Sequence, residues 1–174
     1  MTDSNQEREI IRETTKEVLQ AMDIDIQANE EKIENAEDGG EIFTINLKSA
    51  NPSILIGQSG SNLQALQYII KLLSYQRIRA LNLKNKDEDA DKRKMIRINL
   101  DINGYKKQRE NSLRELARDI TKQALYSGNS IALRPMSSYE RRIIHMEIAK
   151  HPKLSTESLG EEPFRKVIIK MKEN

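Results

Sequence analysis

Cysteine and tryptophan are absent, and histidine occurs only twice, as His145 and His151. Without thiols the chain can build no disulfide scaffold, no thiolate metal site and no cysteine nucleophile. Two imidazoles leave little for a metal site, so neither a metal nor another cofactor is expected. Aromatic residues are scarce, two Phe and five Tyr, and no strand-like run gathers them, which disfavours a sheet that stacks bases on a cluster of aromatics. No apolar run approaches the ~20 residues needed to span a bilayer. The opening Met1-Thr2-Asp3-Ser4-Asn5-Gln6-Glu7 is polar and acidic, unlike a secretory signal. These absences predict a soluble cytoplasmic protein with no membrane insertion.

What is present is charge. The 174 residues are 32% charged and 37% hydrophobic, enough for one or two small domains with a core. The net charge of +2 conceals an asymmetry: residues 1–40 balance to −8 and residues 41–174 to +10. A basic body behind an acidic start favours a polyanionic partner, because attraction depends on local charge.

Periodicity divides the chain into elements. Ile10, Ile11, Thr14, Val18 and Met22 form one stripe of a helix over 7–22. Ile24 and Ile26 alternate with acids like a strand, Glu37-Asp38-Gly39-Gly40 reads as a turn, and 42–47 is a β-rich run, which together predict a hairpin. A short helix opens at Asn51-Pro52-Ser53, and a longer one follows over 61–75 with Leu63, Leu66, Ile69, Ile70 and Leu73 on one face. The polar run 84–94 reads as an exposed loop. Ile96, Ile98, Leu100 and Ile102 then alternate with polar residues as a strand with one buried face. Beyond Asn103-Gly104 comes the longest helix, 105–127, with Leu113, Leu116, Ala117, Ile120 and Ala124 inward and a stop at Gly128. A strand within 130–136, a helix capped by Ser137 or Ser138 and ending before His151-Pro152, and strands near 154–156 and 165–170 complete the series. The fold class is α+β: αββααβ over residues 1–103, then a small αβαββ domain over 105–173.

Two constellations carry chemistry. Gly57-Gln58-Ser59-Gly60 joins two apolar helices, where glycine permits close backbone approach and positive φ, and the helix that follows presents free N–H groups and a positive dipole end to a phosphate. A bare G-x-x-G is also what a tight interhelical turn requires. Its placement within α-β-β-α-GxxG-α-β is the arrangement of a type II KH domain, which holds a few unpaired nucleotides. In the second half, Arg141 and His145 stand four apart on one helix face, where a guanidinium fork and an imidazole suit a phosphate and a base or sugar. On spacing alone a solvated surface pair is the better reading, and the flanking residues change that. The row Lys107, Arg114, Arg118 and Lys122 fits either a backbone track or the wet face of a helix, and Lys92-Arg93-Lys94 with Arg97 offers further cations beside the acids of 87–91.

Ile56-Gly57-Gln58-Ser59-Gly60 with Leu63-Gln64-Ala65-Leu66-Gln67-Tyr68, Pro135-Met136 through Ile144-His145, and Gly160-Glu161-Glu162-Pro163-Phe164-Arg165 together resemble the bacterial Jag/KhpB (SpoIIIJ-associated) family. That family pairs a type II KH domain with an Arg-x-x-x-His (R-three-H) domain, and the resemblance runs from about residue 7 to 172. It implies a cytoplasmic RNA-binding protein that influences cell shape and envelope growth, with a small KH-only protein as a partner. It assigns nucleic-acid contacts to Gly57, Gln58, Ser59, Gly60, Arg141 and His145, with Arg165 added as a phosphate contact on the neighbouring strand. The family commonly has Lys or Arg inside the G-x-x-G, whereas Gln58-Ser59 is neutral, so backbone amides carry that contact and its affinity is modest. Many members also have a further small domain ahead of the KH helix.

The leading expectation is a non-enzymatic binder of single-stranded RNA, an RNA chaperone or post-transcriptional regulator, with single-stranded DNA as the other ligand it could hold. Two weak sites on one chain gain affinity through effective concentration. The alternatives are an interaction adaptor using the KH surface, for which the acids Glu7, Glu9, Glu13 and Glu17 suit a basic partner, and a ribonuclease using His145. The ribonuclease needs a second catalytic group, and Glu147 and Glu161 are carboxylates with nothing to mark them as a pair.

Overall fold

The computed structural model describes residues 2–84 and 96–172. Two compact units divide the chain, Met1–Tyr105 and Lys106–Asn174.

The first unit runs α1 (Thr2–Ala21), β1 (Ala28–Asn35), β2 (Glu41–Lys48), α2 (Pro52–Ile56), a 3₁₀ turn (Gln58–Gly60), α3 (Ser61–Lys84) and β3 (Arg97–Ile102). This is the αββααβ order expected of a type II KH domain. Its sheet has the order β1-β2-β3, with β1 antiparallel and β3 parallel to β2. A parallel pair needs a crossover, and α2 and α3 supply it. The pairs Phe43↔Ile98, Ile45↔Leu100 and Leu47↔Ile102 put six buried side chains on one face. Ile11 and Leu19 of α1 and Leu63, Leu66, Ile70 and Ile78 of α3 close over them. Burying each of these residues contributes about 2 kcal/mol relative to exposure.

The first strand is not where alternation placed it. Ile24 and Ile26 lie in the link between α1 and β1, half-buried against the core, and β1 is the polar segment Ala28–Asn35. The turn decides this. Ala36 N–H bonds the Gly40 carbonyl at 2.7 Å, which fixes Asn35 opposite Glu41 and Ala28 opposite Lys48, so residues 24 and 26 fall beyond the end of β2. A charged edge strand also discourages pairing with other chains. α3 extends to Lys84 rather than stopping near Tyr75, and Ile69, assigned to its inner face, is exposed. Residues 85–94 of the polar run, including Lys92, Arg93 and Lys94, lie outside the described residues. The acids of α1 are partly paired: Arg12 bridges Glu9 and Glu31, and Glu17 meets Arg77.

The second unit runs α4 (Tyr105–Ser127, whose first residue belongs to the first unit), β4 (Ile131–Ala132), α5 (Ser138–Ile148), β5 (Leu154–Leu159) and β6 (Lys166–Met171). β6 is central in the antiparallel order β4-β6-β5. Leu113, Ala117 and Ala124 of α4 and Ile143, Ile144 and Ile148 of α5 pack with Leu133, Leu154, Val167 and Ile169 in one core, so both helices cover the same face of the sheet. β4 is shorter than the expected strand, and beyond it the chain keeps single bonds to the β6 side, from Leu133 N–H to the Val167 carbonyl at 2.9 Å and from Met136 N–H to the Arg165 carbonyl at 3.1 Å.

Candidate nucleic-acid interface

The G-x-x-G segment is shaped by side chains as much as by its glycines. α2 ends at Gly57, whose N–H bonds the Ser53 carbonyl and whose φ is +69°. Asn62, in the first turn of α3, donates from Nδ2 to the Ile54 carbonyl at 2.7 Å. A Cβ on Gly57 would lie 2.5 Å from Asn62 Cγ, and one on Gly60 3.0 Å from Cε1 of the Tyr105 ring. Gly57 therefore excludes larger residues on space as well as on φ, whereas at Gly60 positive φ is the main bar and the Tyr105 ring would have to give by a few tenths of an ångström. Between them Gln58 and Ser59 are exposed, and Ser59 takes a left-handed conformation at φ 53°. The bend opens onto the N-terminus of the 24-residue α3, whose first turn holds no acid. That arrangement offers oriented amides and a positive dipole end to an anion.

Beside this bend, β3 is tied to α3 rather than left open along its length. Leu100 N–H donates to Gln67 Oε1 at 3.0 Å, and Tyr75 Oη donates to the Ile96 carbonyl at 2.7 Å.

In the second unit α5 starts from a capping box. Ser137 Oγ accepts the Glu140 N–H, and Glu140 Oε2 accepts the Ser137 N–H at 3.0 Å. Glu140 Oε1 also takes a 2.7 Å bond from Arg109 of α4. This fixes the rotation of α5 and turns Arg141 inward. Arg141 is not a solvated residue: its side chain is 9% exposed. Nη1 donates to the Met136 carbonyl at 2.6 Å and Nη2 to Glu162 Oε1 at 2.8 Å.

One turn on, His145 lies against β5. Nδ1 is 2.7 Å from Thr156 Oγ1 and Nε2 is 2.8 Å from Ser158 Oγ. Desolvation first, and then the charge of Arg141, lower its pKa below the usual imidazole value. The neutral ring thus donates through one nitrogen and accepts through the other. Arg165, immediately before β6, reaches the Ser158 carbonyl from Nη2 at 3.4 Å, and its Nε is buried without a partner. Among the described residues Arg165 makes no ion pair. The second unit therefore brings Arg141, His145 and Arg165 to one neighbourhood around β5 and the loop that follows it. Thr156, Ser158 and Glu162 complete that neighbourhood; sequence reasoning missed them, because small hydroxyls on a short strand carry no signal until the helix above them is placed. Phe164, in the same loop, is 75% exposed.

The basic row of α4 is largely occupied. Arg114 pairs with Glu110 and Glu147, Arg118 with Glu147, and Lys122 with Asp119. Glu147 is buried and also receives Lys150 at 2.7 Å; the bonds from Lys150 and Arg118 hold its pKa down at about 2. Of the four, only Lys107 lacks a partner among the described residues. Those residues include no cluster of three or more metal-ligating side chains and no helix long and apolar enough to cross a membrane.

Comparison with known proteins bears on the same segments. The R-three-H domain family matches residues 111–171, which include Arg141, His145 and Arg165. An RNA-binding protein KhpB of Clostridium symbiosum is 36% identical over 152 residues, covering 87% of this chain and 59% of that relative. The RNA-binding protein KhpB of Bacillus subtilis is 31% identical, covering 69% of this chain and 52% of its own length. That of Lactiplantibacillus plantarum is 27% identical, covering 75% and 36%. The chain thus spans between about a third and three fifths of the curated relatives it matches. With the αββααβ unit ahead of the matched R-three-H domain, the chain belongs to the KhpB (Jag) family.

Proposed function

We propose that this chain is a non-enzymatic binder of single-stranded RNA in the cytoplasm, with a KH module over residues 1–103 and an R-three-H module over residues 105–173. The observation that carries the reading is the exposed Gln58-Ser59 bend, held between two glycines at the acid-free N-terminus of α3. Backbone amides there take the phosphates, and Gly57 and Gly60 allow the strand to approach. His145 and Arg165 supply contacts from the second module, and Arg141 positions the segments around them. The names of the relatives in three bacteria support RNA as the ligand. The finer role is that of an RNA chaperone or post-transcriptional regulator acting on cell shape and envelope growth.

The buried state of Glu147, neutralised by three cations, supports a binding role over catalysis. It withdraws the carboxylate on the helix of His145 from acid–base work. Titration of a short unpaired oligoribonucleotide, followed by amide NMR, tests the reading. Shifts concentrated at 57–60 are expected, and silence there with shifts elsewhere defeats it.

A second reading has its own observation. Ile69, Leu72 and Leu83 recur at helical spacing on the outer side of α3 and are all exposed, as is Tyr68. An apolar row of this kind favours a protein partner, such as a small KH-only protein, alongside RNA. Pull-down with and without nuclease separates direct contact from RNA bridging.

A further inference from the structure

The sheet of the second unit has two faces, and the described residues of that unit cover one of them. Leu133, Leu154, Val167 and Ile169 point into the core under α4 and α5. Alternation sends their neighbours to the opposite side. On β6 these are Lys166, Ile168 and Lys170, with Lys172 just beyond the strand. On β5, the register Ser155↔Lys170, Glu157↔Ile168 and Leu159↔Lys166 adds Ser155, Glu157 and Leu159. Lys172 N–H bonds the Lys153 carbonyl at 2.9 Å, which continues that register and puts Lys153 on the same side. Across β6, Leu133 N–H bonds the Val167 carbonyl at 2.9 Å, and Arg134, the next residue, is exposed at the Lys166 end of that edge.

Among the described residues this face gathers Arg134, Lys153, Lys166, Lys170 and Lys172 against the carboxylate of Glu157. Lys170 is paired with Glu157 at 2.6 Å. Among the described residues the other four cations make no ion pair, in contrast to the occupied row on α4. Arg134, Lys153 and Lys172 are exposed and Lys166 is half-buried. Ile168, half-buried in the middle, and Leu159, 52% exposed at one end, provide apolar ground between the charges. Lys166 and Lys172, six residues apart along the line of β6, stand about 20 Å from each other, so the four sites mark the two ends of a stretch several nucleotides long. Four uncompensated cations spread over three strands around an apolar centre complement an extended polyanion carrying flat bases.

From this charge pattern, and resting on the RNA-binding reading above, we infer that the uncovered face of the β4-β6-β5 sheet is a further contact surface for single-stranded RNA, beside the bend at 57–60 and the His145 neighbourhood. Arg134, Lys153, Lys166 and Lys172 hold phosphates, and Ile168 and Leu159 lie under bases. The surface is separate from the Arg141–His145 neighbourhood, which lies on the helix-covered side. One strand engaging both wraps around the edge of the sheet at β5.

The test uses the whole chain and a fluorescent 20-nucleotide oligouridylate, with affinity measured over a series of NaCl concentrations. In a quadruple variant (R134Q, K153Q, K166Q, K172Q) each lost phosphate contact lowers the slope of log K against log salt by about 0.7, so the expected fall is about 2.8. A matched variant with K16Q, K32Q, K48Q and R79Q removes the same charge from the first unit and leaves the slope within one contact of the wild type. An unchanged slope in the first variant, in a protein that still melts cooperatively and still binds RNA, overturns the inference and leaves RNA binding itself standing. No binding by the wild type removes the underlying reading as well. If the first variant loses affinity for phosphatidylserine vesicles and keeps its RNA slope, the face serves a membrane surface and the inference fails.

Discussion

Arg141 and Glu162 are joined at 2.8 Å between a guanidinium that is 9% exposed and a carboxylate that is 58% exposed. The same guanidinium bonds the Met136 carbonyl at 2.6 Å. Arg141 therefore ties α5 to the segment that precedes it and to the loop between β5 and β6, the loop that carries Phe164 and Arg165. Removing it leaves a buried carbonyl unsatisfied and releases the loop. Arg141→Ala is expected to cost about 2 kcal/mol in urea unfolding, as for loss of hydrogen bonds to a charged group. Glu162→Gln keeps the Met136 bond and removes a solvent-screened charge, so it costs less than about 1 kcal/mol. If the two substitutions destabilise equally, the Met136 bond is not the dominant tie. Loss of RNA affinity in Arg141→Ala has to be measured on folded protein, since this residue acts on its neighbours by holding them.

The ring of His145 bridges Thr156 and Ser158 in its neutral form. Its folded pKa lies below the ordinary value of 6.5, chiefly through burial. The unfolded chain therefore binds the proton more readily, and stability rises with pH across this window. The contribution is present in full above about pH 6.5 and is lost as the pH falls through the lowered value. Melting temperature is expected to drop between pH 7.5 and 5.5 in the wild type. In His145→Gln, which keeps a donor and an acceptor but cannot titrate, the drop is smaller. Equal pH dependence in both proteins places the responsible group elsewhere. The pKa of about 2 at Glu147 acts separately, with stability lost only as the pH falls below about 4.5 toward that value.

These two residues mark how far the sequence was legible. Helix periodicity located α4 to the residue and α5 nearly so, because each has a clean inward stripe and a definite stop. The alternation of Ile96 to Ile102 likewise identified β3. β1 was not legible, since its placement depends on a turn-fixed register with β2 and not on its own polar side chains. The spacing of Arg141 and His145 was visible; their burial was not, because Met136, Glu162, Thr156 and Ser158 reach them only after the strands are paired. The lysines at 166, 170 and 172 alternate in plain view, yet their company with Arg134 and Lys153 depends on the order β4-β6-β5.

Gly57 and Gly60 resist side chains to different degrees. At Gly57 the obstacle is Asn62, 2.5 Å from an added Cβ; at Gly60 it is the Tyr105 ring at 3.0 Å, and both residues have positive φ. Gly57→Ala is expected to destabilise the first unit by about 1–3 kcal/mol through backbone strain and displacement of Asn62. Adding Asn62→Ala clears the space, yet it frees the Ile54 carbonyl that Asn62 bonds and leaves the φ penalty, so the double variant does not recover wild-type stability. Full recovery, read from denaturant midpoints, means that collision with Asn62 is the whole reason for glycine at position 57.

Gln58 is exposed at the centre of the bend and uncharged, so the bend's contact with phosphate rests on backbone amides. A cation at this position adds a Coulombic contact without disturbing the glycines on either side. Gln58→Lys is therefore expected to tighten binding of an oligouridylate and to steepen the slope of log K against log salt by about 0.7, the increment of one added phosphate contact to a single strand. Gln58→Glu places a negative charge where a phosphate is to sit and weakens binding, most strongly at low salt, where screening is least. Ser59 is already in a left-handed conformation, so substitution there mixes strain with charge, and position 58 is the cleaner probe. If affinity and salt slope are the same for the Lys and Glu variants, no phosphate lies near the bend, and RNA contacts this protein elsewhere.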